Sequence, residues 1–114
     1  MNIAVIGSRE FNNEKLMFST LDQFDICKLI SGGARGADTL AEKYAYENSI
    51  ITEIFYPDWN RFGRGAGFIR NKEIIENCDM VVAFWDGKSK GTLSSIQLAT
   101  KALKEVLIIP FSRD

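Results

Sequence analysis

The residues of this chain that can do chemistry are five arginines and a set of glycines. Arg9, Arg35, Arg61 and Arg64 fall in short irregular stretches, and Arg70 follows closely. A guanidinium meets phosphate oxygens with two parallel N–H bonds, so arginines beside glycines point to a phosphate-bearing ligand. Six of the nine glycines form two groups. Gly7-Ser8-Arg9 and Gly32-Gly33-Ala34-Arg35-Gly36-Ala37-Asp38 lie in the first third of the chain, and Gly87 and Gly91-Thr92 lie near its end. Glycine lets backbone N–H groups approach a ligand closely, and a helix start leaves N–H groups unpaired and positively polarised. Together they make an anion seat. Gly32 and Gly33 can present N–H groups to a phosphate while Gly36 relieves crowding at a helix start. An ordinary tight turn with close helix–strand packing is the competing reading. Thr92 can cap the last helix through its hydroxyl, or its N–H and hydroxyl can hold a phosphate oxygen.

Asp38 and Asp86 are the best-placed acids. Asp38 can hold a ribose hydroxyl, pair with Arg35 or stabilise its own helix start. Asp86 can orient a sugar or coordinate a hydrated divalent cation; no cofactor is otherwise identified. Acid–base work at a glycosidic bond needs a second carboxylate, for which Asp58 is the candidate. Trp59, Phe62 and Trp85 can stack on a base, with at least one of them in the core. Asn71 can bond a ligand or cap a loop. The chain contains no histidine. That excludes a histidine-based triad and imidazole zinc sites. Ser89, Ser94 and Ser95 therefore lack the adjacent base that a serine nucleophile needs. Neither a Walker-type phosphate loop nor the glycine fingerprint of dinucleotide binding is present.

The elements that must position these residues alternate regularly. NIAVI at 2–6, CKLI at 27–30, IITEIFY at 50–56, MVVAFW at 80–85 and VLIIP at 106–110 read as strands. Helical spacing appears between them over 13–24, around Ala37 to Ala45, over 66–78 and from Thr92 to Leu103. Asn12 or Asn13 can cap the first helix. Residues 58–65 show no regular period and read as a shaped loop. Five strands alternating with four helices predict a three-layer, Rossmann-like α/β domain with a mainly parallel five-stranded sheet over residues 1–114. A mixed sheet with 50–56 or 106–110 at an edge is the second reading. In such sheets ligands sit beyond the carboxyl ends of the strands, where strand order reverses. Every unusual loop here follows a strand, so all should open on one edge of the sheet.

Composition sets outer bounds. Fourteen basic and fifteen acidic residues leave a net charge of −1, and 46% of residues are hydrophobic. Nucleic-acid binders usually carry a basic excess, so nucleic acid is not an expected partner. Cys27 and Cys78 are expected to be reduced and mostly buried, with one disulfide as the alternative. Residues 1–6 read as a strand and not as a leader, and no apolar stretch is long enough to span a bilayer. A cytoplasmic protein without a membrane partner is expected.

In order along the chain, GSR at 7–9, SGGARGAD at 31–38, PDW at 57–59, GRGAG at 63–67, RN at 70–71 and VVAFWDG-x-S-x-GT at 81–92 resemble the YspA-type, cpYpsA-related branch of the SLOG superfamily. That superfamily takes its name from the Smf/DprA proteins and the "lonely guy" hydrolases. The resemblance covers essentially the whole chain. It implies a Rossmann-like sheet with a nucleotide-related ligand near the two glycine loops, and a homo-oligomer paired through helices. Superfamily members act as nucleotide sensors or binders, as single-stranded DNA processing factors, or as phosphoribohydrolases. The hydrolase signature P-G-G-x-G-T-x-x-E aligns its Gly-Thr with Gly91 and Thr92 and its glutamate with Ser95, and the upstream arginine falls on Arg70. Its first three residues are replaced by Asp86 and Gly87 with altered spacing. Without that glutamate no carboxylate stabilises a departing ribose. The leading expectation is thus binding of a nucleotide or nucleotide-derived phosphate ligand, as sensor, carrier or sequestering protein. One alternative is a hydrolase using Asp58 or Asp86, with Arg70 on the phosphate. The other is single-stranded nucleic-acid binding.

Overall fold

The computed structural model describes residues 1–112, so the last two residues of the expected 1–114 domain lie outside it. Five strands run β1 (Asn2–Gly7), β2 (Lys28–Ser31), β3 (Ile51–Ile54), β4 (Met80–Trp85) and β5 (Glu105–Pro110). The helices are α1 (Glu14–Leu21), α2 (Ala37–Glu47), α3 (Trp59–Phe62), α4 (Ala66–Glu76) and α5 (Lys90–Lys101), with a 3₁₀ turn at Gly63–Gly65. The sheet order is β3-β2-β1-β4-β5 and all four pairings are parallel. β3 and β5 are the edges, as the mixed-sheet reading supposed, but neither reverses direction.

A parallel sheet is buried on both faces, which explains the unbroken apolar runs in β1 and β4. Side chains alternate between the two faces. Ile3, Val5, Met80, Val82 and Phe84 pack with Met17 and Leu21 of α1 and Ala41 and Tyr44 of α2. Ala4, Ile6, Val81 and Ala83 pack with Ile74 and Ile75 of α4 and Ile96 and Ala99 of α5. Two apolar layers of this kind supply most of the stability, at roughly 25 cal/mol per Å² of apolar surface removed from water.

Three details differ from expectation, and one choice between two caps is decided. The stretch read as a loop contains α3, a single turn held by Asp58, whose carboxylate accepts from the Arg61 N–H. One turn is too short to show a period. The first helix is capped by Asn13. The last helix begins two residues earlier than Thr92, and its cap is Ser89, whose hydroxyl accepts from the Thr92 N–H. Cys27 is exposed and only Cys78 is buried, both as free thiols. Cys27 immediately precedes β2 and lies beside the chain's amino terminus, outside both apolar layers. Among the described residues, no helix is long and apolar enough to cross a membrane.

The chain builds outward from β1 to β2 and β3, then returns to β4 on the other side of β1. Strand order therefore reverses between β1 and β4, and a crevice opens there at the carboxyl edge.

Candidate functional site

A cavity of about 430 Å³ occupies that crevice. This is the size range of small-ligand sites. After β1 it is lined by Gly7, Ser8, Arg9 and Glu10; after β2, by Gly32, Ala34 and Asp38. From the other side come Arg70, Asn71 and Ile74 of α4, then Asp86, Ser89, Gly91, Thr92 and Ser95 around the start of α5.

Ser8 anchors the first wall. Its N–H donates to the Phe84 carbonyl of β4, its carbonyl accepts from the N–H groups of Phe11 and Ala37, and its hydroxyl accepts from the Glu10 N–H. Gly36 makes the close fit of α2 against this wall possible. It sits at φ 77°, and a Cβ there would lie 2.5 Å from the Arg9 carbonyl oxygen. Only glycine tolerates both conditions.

Arg70 spans the cavity floor. Its Nη1 donates to the carbonyls of Gly32 and Phe55, and its Nε donates to Asn71 Oδ1. A Cβ on Gly32 would lie 2.7 Å from that Nη1, so the missing side chain at 32 is what admits the guanidinium. Asp38, 8% exposed, accepts from the Ala34 N–H and lies in the field of Arg70. Burial pushes its carboxyl up to about 6, against the opposing pull of the Ala34 bond and Arg70. Burial also lowers Arg70 from its ordinary value, Asp38 raises it, and the nearby Arg9 lowers it further. Arginine nonetheless keeps its charge in proteins. Two guanidinium groups close enough to repel each other thus line one cavity. Arg9 makes no hydrogen bond or ion pair with another described residue.

The opposite wall is the start of α5. Asp86 Oδ1 accepts from the N–H groups of Lys88 and Ser89, and the Trp85 indole donates to the Ser89 carbonyl. The Thr92 N–H is committed to Ser89, and the two hydroxyls are 3.0 Å apart. Thr92 therefore offers no free N–H, in contrast to one of its expected roles. The Gly91 N–H at this end has no partner among the described residues, and a Cβ there would meet nothing within 4 Å.

Of the residues singled out from sequence, Gly7, Ser8, Arg9, Gly32, Asp38, Arg70, Asn71, Asp86, Gly91 and Thr92 surround this one cavity. Others do not line it. Gly33 lies under the Tyr56 ring, and Gly36 supports the wall from behind. Arg35 pairs with Glu10 at 3.1 Å and stays exposed. Gly87 turns the chain after β4 at φ 79°. Arg64 lies in the exposed 3₁₀ turn. Asp58 caps α3, so the pairing of Asp58 with Asp86 for acid–base work is not formed. Trp85 packs against the core. Residues that sequence reasoning did not place here are Ile6, Glu10, Ala34 and Ile74. Ser95, where the hydrolase signature carries its glutamate, lines the cavity as a buried hydroxyl. Among the described residues, no three His, Cys, Asp or Glu side chains gather as a metal-binding set.

The Rossmann-like fold is shared with DNA processing proteins of solved structure. DNA processing protein A (DprA) of Streptococcus pneumoniae superposes with a TM-score of 0.77 at 21% identity, over 97% of this chain and 50% of that one. DprA of Helicobacter pylori, whose structure is described for its single-stranded DNA binding mode, superposes at 0.76 and 23% identity, over 97% and 66%. The gene 61 protein of Mycobacterium phage D29 is 35% identical over 80 residues, covering 65% of this chain and 64% of that one. The chain thus spans half to two thirds of these proteins. The profile of the YspA, cpYpsA-related SLOG family (YAcAr) matches residues 1–62, more than half of the chain, and the chain belongs to that family.

The expectation that nucleic acid is not a partner is overturned here, because a protein of this fold is described by how it binds single-stranded DNA. Net charge is a property of the whole surface. Binding depends on the local field, and two arginines at one crevice are compatible with a total of −1.

Proposed function

We propose that this domain binds single-stranded nucleic acid, seating a backbone phosphate between Arg9, Arg70 and the Gly91 N–H. The observation that carries the reading is the convergence of Arg9 and Arg70 on one cavity, with Arg9 unpaired among the described residues. Like charges brought together without a carboxylate for each are stabilised by an anion from outside. The likeness to DprA supports a strand as the source of that anion.

The test is Arg9→Ala. Its side chain has no hydrogen-bond or ion-pair partner among the described residues, so the melting temperature should stay within about 2 °C, since exposed substitutions change stability by about 0.5 kcal/mol or less. Affinity for a labelled oligothymidylate, read by fluorescence anisotropy, should fall about 10- to 100-fold, the worth of one charge-assisted contact. The slope of log affinity against log salt should fall by about 0.7. Unchanged affinity in Arg9→Ala would remove the proposal.

A second reading, a free nucleotide or nucleotide derivative, is favoured by the three carboxylates of Glu10, Asp38 and Asp86 around the cavity. They repel a polyanion and can accept from sugar hydroxyls. A mononucleotide that binds as tightly as an oligonucleotide, with little salt dependence, would select it.

A further inference from the structure

Beyond the cavity, one stretch of surface is unusual. Tyr56, Trp59 and Phe62 are 68%, 55% and 38% exposed, three large aromatics within seven residues. Arg61 lies 5.0 Å from the centroid of the Phe62 ring, and Arg64 follows in the 3₁₀ turn. Neither arginine forms an ion pair among the described residues, and the one acid in the segment, Asp58, is committed to capping α3.

The patch approaches the cavity at two points. The Tyr56 ring lies so close over Gly33 that a Cβ there would be 2.5 Å from it, and Gly33 adjoins the cavity-lining Gly32. The Trp59 indole lies 3.7 Å from where a Cβ of Gly67 would stand, and Gly67 is three residues before Arg70 on α4. A ligand leaving the cavity past Gly32 or Arg70 therefore meets an aromatic face next.

We infer that Tyr56, Trp59 and Phe62, with Arg61 and Arg64, form a stacking shelf that holds the unpaired bases flanking the phosphate in the cavity. The inference rests on the strand-binding reading above and extends it by assigning a second contact region. Exposed aromatic faces interleaved with arginines suit a single strand: bases stack on rings with little sequence preference while guanidinium groups follow the backbone. A folded protein partner would more commonly demand a wider apolar patch without unpaired cations at its centre.

The experiment is a length series. Oligothymidylates of 2 to 10 nucleotides are titrated against the whole chain and against Trp59→Ala, Trp59→Phe and Arg61→Ala. Wild-type affinity should rise with length beyond the nucleotides the cavity holds. Trp59→Ala should lose about 5- to 100-fold of that gain. Its affinity for the dinucleotide should be unchanged. Trp59→Phe should retain most of the gain, because a ring remains. Arg61→Ala should flatten the salt slope for the longer strands only.

If long oligonucleotides bind in an Arg9-dependent way but Trp59→Ala keeps the full gain with length, the shelf is overturned while the cavity reading stands. If no oligonucleotide binds, both fall. Sedimentation of the wild type without DNA closes the remaining route: a dimer that Trp59→Ala dissociates would assign the patch to a second copy of the chain and overturn the shelf.

Discussion

The loops on the two sides of the switch point use the same residue type for opposite ends. After β2, glycine is a condition of the protein's own packing: side chains at 32 or 36 would strike the Arg70 guanidinium or the Arg9 backbone. After β4, the loop is held by side-chain caps from Asp86 and Ser89, and a Cβ on Gly91 would meet no protein atom. The first loop builds the wall and places a cation in it. The second leaves space in front of a helix start. A glycine cluster can thus mark a site in either way, and substitution separates them.

Gly36→Ala should break the first loop outright. Positive φ costs about 1–2 kcal/mol for an L-residue, and a backbone contact this short adds to it. A loss of about 3 kcal/mol or more, seen as a melting temperature lower by about 10 °C, is expected. A variant as stable as wild type would show that α2 can move off the Arg9 backbone.

Asp38 sharpens the comparison through pH, because its raised carboxyl belongs to the first loop alone. In the unfolded chain it titrates near 3.8, and in the folded protein at about 6. Below pH 4 both states hold the proton. Between 4 and 6 the unfolded chain releases it first, so folding weakens as pH rises, and above 6 the penalty is constant. The penalty is about 3 kcal/mol at 1.36 kcal/mol per unit. Denaturant titrations of wild type and Asp38→Asn should therefore diverge in favour of Asn from pH 4 to 7. A gap that does not change with pH would assign Asp38 an ordinary carboxyl. Protonation also removes a negative charge beside Arg70, so oligonucleotide affinity should tighten from pH 7.5 to 5, less so in Asp38→Asn.

Gly32→Ala should act on position more than on stability. The new methyl displaces the end of a flexible arginine, at about 1–2 kcal/mol, while oligonucleotide binding falls about 10-fold as Arg70 leaves the floor. Gly91→Ala is the smallest and most telling change. Alanine at an exposed helix position adds up to about 1 kcal/mol of stability. A loss of affinity there points to the ligand, since the new methyl meets open space among the described residues.

The sheet was legible because strand–helix alternation and buried-strand composition are properties of residue order. The position of the site followed from the same alternation, since glycines after β1, β2 and β4 must meet at one edge. What each side chain does there was not legible. Arg9 and Arg35 look alike in sequence, both shortly past a strand and within two residues of a glycine, yet only Arg9 lines the cavity. The choice depends on Glu10, which takes Arg35 to the rim. Gly32 and Gly33 are neighbours with different duties, set by Arg70 and Tyr56, residues from distant segments. Ser95 reaches the cavity from inside α5, about one turn beyond the Gly91-Thr92 pair that the sequence marks.

Ser8 bears on the thermodynamics of capture. Its backbone is tied to β4 and α2, so the peptide carrying Arg9 is already fixed. On the proposed reading, seating a phosphate would cost the rotamer freedom of the Arg9 side chain, roughly 2 kcal/mol, with no loop left to fold around the guest. Encounter with such a seat should be fast and its heat of binding correspondingly simple, with a modest heat-capacity change and little of the ordering signature that accompanies segments that fold on contact.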